Sequence, residues 1–349
     1  MLLSVISCNV HPAASTSLAT PTYIRTSPAA EEKATSSVYT PTNTPVPFPL
    51  SYSEKIANCE IVLSENDLDF IQTGFVSISL DASEHLYLYS PSQQRIFIFS
   101  DKGTYLRDIT LPSVWNDPSG FLPLIDVPIS KGDLWFSIAG NPDSANFGKT
   151  IGTMNLATGE LGTFQLPEQV DFFQRRRFFL DEAGIYVITD KTLENHPKNI
   201  YVDYDGEVIY TGNAGMGAVF YKNGLLVELH TDRSSAISEL VFFQIDKEKG
   251  DFIETNRVSV ELHVMAIAGM DKSGMIFIQY PDHLLRISKD GKTKEFLRFP
   301  PSQYMFEKTT VVKDLLISPH GTIFALLEQS DTDSTKMRML KCYISKNNE

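Results

Sequence analysis

The stretch GFVSISLDASEHLYLYSPSQQRIFIFSDKGTYLRDITLP, running from Gly74 to Pro112, holds four short alternating apolar segments separated by turn residues. Phe75, Ile78 and Leu80 mark the first, Leu86 and Leu88 with their Tyr neighbours the second, Ile96, Ile98 and Phe99 the third, and Tyr105 and Ile109 the fourth. A period of two in segments rich in aromatic and β-branched residues is strand periodicity, and no segment has helical spacing or length. The stretch therefore predicts one four-stranded antiparallel unit. Such a unit carries apolar residues on both faces and needs neighbours to cover them.

Looser copies of the unit follow to the end of the chain. Turns between first and second strands read Asp81 to Glu84, Lys131-Gly132, Glu182 to Gly184, Asn223-Gly224, Lys272 to Gly274 and Pro319 to Gly321, which makes six. Each leads into an apolar strand: LYLYS, LWFSIAG, IYVITD, LLVELH, MIFIQY and TIFALLE. Glycine supplies the positive φ that tight two-residue hairpins require. The turn between third and fourth strands recurs as Lys102-Gly103, Thr158-Gly159, Asp205-Gly206, Lys249-Gly250 and Asp290-Gly291, only five times. The sixth is missing because the chain ends at Glu349, just after the third strand MRMLKCYIS of the last unit. The segment from Ala57 to Leu63 alternates and precedes the first unit, so it is expected to supply the missing strand. Six such units closed on themselves predict an all-β fold, a six-bladed β-propeller over residues 50–349 whose N-terminal strand completes the last blade. Closure of that kind removes sheet edges that would otherwise invite aggregation.

The run LYLYSPSQQRIFIFSDKGTYL in the first unit resembles an NHL repeat: a strand, a polar turn, an Arg-Ile-x-x-Phe strand and an Asp-x-Gly turn. The later units keep the turns and lose the rest; the second has no Arg before its third strand, and the fourth carries an insertion over Asp232 to Ser238. The resemblance implies a propeller of the broad NHL, TolB-like and gluconolactonase-like group. That group includes enzymes and binding scaffolds, so it does not choose a function.

Composition narrows the partners. A net charge of −13 argues against nucleic acid, where affinity comes from Lys and Arg. No stretch reaches the roughly 20 consecutive apolar residues of a membrane-spanning helix. The expected membrane tie is at the N-terminus, where residues 1–8, Met-Leu-Leu-Ser-Val-Ile-Ser-Cys, resemble the end of a bacterial lipoprotein signal peptide. That resemblance makes Cys8 the lipidated residue, although no Lys or Arg precedes it and the apolar run is short. Residues 9–49 are rich in Ser, Thr, Pro and Ala, with TPTNTPVPFP the densest part, a composition expected to stay extended as a tether.

Motifs for chemistry are weak. Gly148-Lys149-Thr150 ends like a phosphate-binding loop, but Asp143 stands where its first Gly is needed and a strand follows. Gly212 to Gly217 reads as a connection between blades, and Asp203 to Gly206 as a hairpin turn lacking the later ligands of a calcium loop. The seven His and three Cys have no metal-ligand spacing, and no G-x-S-x-G occurs. Enzymes of the gluconolactonase-like group hold a divalent metal in the channel with acidic and Asn side chains. Here the corresponding strands offer Asp126, Arg175 to Arg177, His263 and Lys313-Asp314, a mixed set poor in Asn. Asp126, Arg175, Arg177, His263 and Asp314 are thus candidate ligand contacts at a channel mouth, with the arginines suited to an anion or else paired with surface carboxylates. The sequence favours an exported, non-catalytic binding or scaffolding module for an unidentified protein or small-molecule ligand, without a cofactor. A metal-dependent lactonase or esterase is the alternative. Cys59 in the donated strand and Cys342 in the last blade lie on apolar-facing positions of expected neighbours, so they form either a disulfide or two buried thiols.

Overall fold

The computed structural model describes residues 52–68, 77–90, 93–111, 125–126, 133–137, 150–167, 178–180, 184–189, 198–213, 219–222, 224–231, 238–246, 251–260, 266–280, 283–305, 310–330 and 335–344. Two strands lead the chain, β1 (Ser53–Lys55) and β2 (Ala57–Leu63). Blade one is β3 (Ser77–Leu80), β4 (Leu86–Ser90), β5 (Arg95–Phe99) and β6 (Tyr105–Thr110). Blade two is β7 (Ile125–Asp126), β8 (Asp133–Ser137), β9 (Thr150–Asn155) and β10 (Leu161–Gln165); blade three is β11 (Phe178–Leu180), β12 (Gly184–Thr189), β13 (Lys198–Asp203) and β14 (Val208–Asn213). Blade four is β15 (Val219–Lys222), β16 (Leu225–Thr231), β17 (Ser238–Asp246) and β18 (Asp251–Val260). Blade five holds β19 (Ala266–Met270), β20 (Ile276–Gln279), β21 (His283–Ile287) and β22 (Lys294–Arg298). Blade six holds β23 (Thr310–Ile317), β24 (Ile323–Ser330) and β25 (Thr335–Ile344), with β2 as its fourth strand. The fold is a six-bladed β-propeller.

The strand sequences explain why blades stack. Every residue of β4 is buried, because alternate side chains serve two different interfaces. Leu86 and Leu88 pack with Phe324, Leu326 and Met339 of blade six, while Tyr87 and Tyr89 pack with Leu134 and Met154 of blade two. The same division recurs in blade five, where Ile276 and Ile278 join Leu240 and Phe242 of blade four and Phe277 joins Ile323 and Ala325 of blade six. Each such side chain contributes about 1.5–3 kcal/mol of apolar burial, an upper figure because the unfolded chain already hides some of it.

Closure involves more of the N-terminal segment than the sequence suggests. β2 pairs antiparallel with β25, with Cys59 opposite Cys342. The two form a disulfide with Cα atoms 4.0 Å apart and a sequence separation of 283. A loop of that length corresponds to about 5 kcal/mol of stabilisation in the chain-entropy account, as an upper figure. Directly upstream, β1 adds parallel to β22 as a fifth strand of blade five. The leading segment therefore covers two outer edges in succession, and three residues with one parallel register leave little periodicity to read. The expected alternation through Ile61 also fails: Ile61 is 45% exposed, and a bulge between Ile61 and Leu63 turns Leu63 into the interface with blade one.

Lys222 pairs with Leu225, which leaves two residues between β15 and β16 as expected, but five other turns differ from two-residue hairpins. In blade one Asp81 N–H bonds His85 O and Glu84 N–H bonds Asp81 O, and the 100–104, 203–207, 271–275 and 318–322 turns repeat this pattern. A turn followed by one left-handed residue is a three-residue hairpin. Gly103, Gly206, Gly274 and Gly321 take that position with φ between 78° and 87°, whereas blade one places Glu84 there at φ 61°. The residue three before it locks each turn. Asp81 Oδ1 accepts from Ser83 and His85 N–H, Asp271 Oδ1 from Ser273 and Met275 N–H, and Ser318 Oγ from His320 and Thr322 N–H. Asp203 does the same for Asp205 and Glu207, so the Asp203 to Gly206 segment is a hairpin turn. Of the other turns read from the sequence, Lys131-Gly132, Glu182, Asn223 and Lys249-Gly250 lie outside the described residues.

Candidate functional site

An antiparallel meander sends its first-to-second and third-to-fourth turns to one end of each blade and its other connections to the opposite end. The turn end is tight, with two to six residues between strands. At the opposite end the second-to-third connections run from three residues, between Gln279 and His283, to twelve, between Ser137 and Thr150. Links between blades there run from five residues to fourteen. One end thus carries short turns, five of which are locked in the same way among the described residues, while connections at the other end vary more widely in length.

The predicted contacts distribute unevenly over these parts. Asp126 is the second residue of the innermost strand β7, opposite Trp135. Asp314 lies on the innermost strand β23, beside a bulge between Val312 and Asp314. Its Oδ1 accepts from Leu315 N–H at 2.9 Å, and its Oδ2 lies 3.5 Å from Ile78 N on β3. Asp314 therefore links the innermost strands of blades six and one. The neighbouring Lys313 turns instead to Glu328 on β24, 2.8 Å away. Arg175, Arg177 and His263 fall outside the described residues, in the chain entering β11 and β19 respectively, and Cys8 also lies outside them. Among the described residues no three His, Cys, Asp or Glu side chains converge on a point where they could hold a metal ion.

A set of titratable groups sits at the turn end, where blade six meets blade one. Lys341 on β25 is 3% exposed, with its ammonium 2.7 Å from Asp101 and 3.4 Å from Glu84, both in blade one turns. The same ammonium lies over the rings of Phe324 and Tyr343. Burial pulls the Lys341 pKa down, but hydrogen bonds to Asp101 and Tyr343 outweigh it and hold the group charged. The hydrogen bond from Lys341 keeps the Asp101 carboxyl below the usual carboxylate range. Beside this pair Asp81 Oδ2 lies 2.8 Å from His85 Nδ1 and accepts from Tyr87 OH at 3.1 Å. Desolvation, followed by the charge of Asp81, pushes the Tyr87 hydroxyl up.

Blade five shows what this arrangement replaces. Arg286 faces Phe277 across the strand pair as Lys341 faces Phe324, but its acids, Asp271 at 3.3 Å and Glu295 at 2.8 Å, belong to its own blade. Blade six has Ser318 at the position of Asp271, so Lys341 has no acid from that turn. Glu84 supplies one from the next blade, and this accounts for a non-glycine residue in the left-handed position. The signal was legible only by aligning turns with an Asp or Ser three residues ahead of Gly: Ser318 stands where blade five has Asp271, and Glu84 takes the place of the Gly.

No family model and no curated protein matches the chain. Among solved structures it is similar to a streptogramin B lyase, at 11% identity over 83% of this chain and 98% of that one, with a TM-score of 0.44. It is similar to a luciferin-regenerating enzyme at 10% identity over 82% and 95%, TM-score 0.48. It is also similar to the PQQ-bound aldose sugar dehydrogenase of Streptomyces coelicolor at 13% identity over 82% and 98%, TM-score 0.46. At these values none of them bears on activity, and the architecture rests on the chain's own strand pairing.

Proposed function

We propose that the chain is an exported propeller, held at a membrane surface by a lipidated Cys8 and the tether of residues 9–49, and that it acts as a non-catalytic binding or scaffolding module. The observation that carries this reading is the Cys59–Cys342 disulfide. Disulfides that hold a fold together persist in oxidising compartments outside the cytosol, the destination that the N-terminal sequence also addresses. The binding role is supported by the contrast between short turns at one end, five of them locked alike, and connections of unequal length at the other, an arrangement suited to presenting a surface to a protein or small-molecule ligand. Nucleic acid remains disfavoured by the charge of −13.

Cell fractionation tests the anchor. The full chain should sediment with membranes and move to the detergent phase, whereas Cys8→Ser should appear in the soluble exported fraction with its propeller intact. A wild-type chain that is soluble in the cytosol would contradict the reading. Elemental analysis of the same preparation addresses the class of function, because a stoichiometric divalent metal would favour the hydrolase alternative.

A further inference from the structure

Cys59 stands near the end of β2 from which that strand would be peeled. Ala57 lies opposite Ile344 and Asn58 opposite Tyr343, and the next pair is Cys59 with Cys342. A pull entering β2 from its N-terminal side loads these antiparallel pairs one after another, as a zipper opens. Upstream, among the described residues, stand the three register pairs between β1 and β22, the Lys55–Glu295 and Glu54–Arg298 ion pairs and the buried Tyr52. Beyond Cys59 lies what closes the ring. The Cys59 carbonyl accepts from Tyr304 OH, Leu63 fills the interface with blade one, and the Val62 carbonyl lies under the Gly103 turn.

We propose that the Cys59–Cys342 bond is a mechanical staple, which stops tension arriving along the N-terminal tether from unpeeling the strand that closes the ring. The physiological source of that tension rests on the tethered reading above; the mechanical role of the bond does not. Load reaching Cys59 passes covalently into β25, which is flanked by β24 and β2. Neighbouring residues of a strand point to opposite faces, so Lys341 reaches blade one while Cys342 holds β2. The closing junction is tied in both directions by consecutive residues.

Single-molecule pulling with handles at the two ends of the full chain tests the proposal. The oxidised protein should release only chain outside the bridge, because the 283-residue separation between the cysteines stays locked. Adding a phosphine reductant to the same molecule should release roughly a further 1,000 Å at 3.3–3.6 Å per residue, at a lower force and with β2 leaving first. Since Cys342 is buried, Cys59→Ala provides a second route to the unbridged state and should show the same release. Oxidised molecules that extend by the full length would overturn the proposal, as would unbridged molecules that resist the same force as bridged ones. A membrane-free wild-type chain in fractionation would remove the anchor and leave the pulling result standing, so the two failures are distinguishable.

Discussion

Replacing Lys341 by Met should lower the stability of the propeller by about 3 kcal/mol, the loss expected when one partner of a buried ion pair is removed and the other stays. Glu84 is the group left stranded, since its side chain is 13% exposed, while Asp101 at 37% can turn toward water. For a domain of about 300 residues, at about 2.1 cal/mol/K of unfolding entropy per residue, the change corresponds to a fall of roughly 5 °C in the thermal midpoint. The pH dependence separates the ionic role from simple packing. The groups facing this junction are Lys341 and Tyr343 from β25, Glu84 and His85 from the first blade one turn, and Asp101 and Lys102 from the second. The hydrogen bond from Lys341 holds the folded Asp101 carboxyl below the ordinary carboxylate range. Its contribution is therefore fully present above the unfolded carboxylate range and is lost as pH falls through the folded value. Wild type should lose midpoint more steeply than Lys341→Met below about pH 4, and parallel profiles would remove the ionic account. At Glu84 two effects oppose, because Gly would relieve the left-handed backbone at φ 61° while removing the acid. Glu84→Gly should accordingly be less harmful than Glu84→Ala by about 1 kcal/mol.

Gly103→Ala should be more damaging still, and for a reason local to the same junction. A Cβ on Gly103 would lie 1.7 Å from the Val62 carbonyl oxygen, and φ there is 78°. Backbone cannot move aside as a flexible side chain can, so β2 or the turn must shift. Overpacking of about 1–3 kcal/mol or more adds to about 1–2 kcal/mol for the left-handed residue. Gly206→Ala provides the control: its φ is 87°, yet nothing lies within 4 Å of its added Cβ, so it should lose only the conformational part. Urea unfolding of both variants checks the difference. Equal losses would show that the Gly103 turn does not rest on β2.

The blade count was legible because strand periodicity and turn glycines repeat, and the Ala57 to Leu63 strand because five third-to-fourth turns had to serve six blades. β1 was not legible, since Ser53, Glu54 and Lys55 carry no apolar alternation and pair through their backbone with β22. Ile61 misled because a bulge, which changes the facing of later residues, leaves no mark in an apolar string. Lys341 passed unnoticed as one cation in the strand MRMLKCYIS; its importance follows from Ser318 and Glu84, residues far apart in sequence that meet only when the ring closes. Asp314 is legible from its place on an innermost strand, whereas its engagement with Ile78 is a property of the closed ring.

A ring closed covalently by its own N-terminal strand needs the oxidising compartment proposed above. Peptide mass mapping, on chain isolated from the cells that make it and alkylated without reductant, addresses both halves at once. A peptide containing Cys59 joined to one containing Cys342 is the predicted result. Complete alkylation of both cysteines in the denatured, unreduced protein would contradict it.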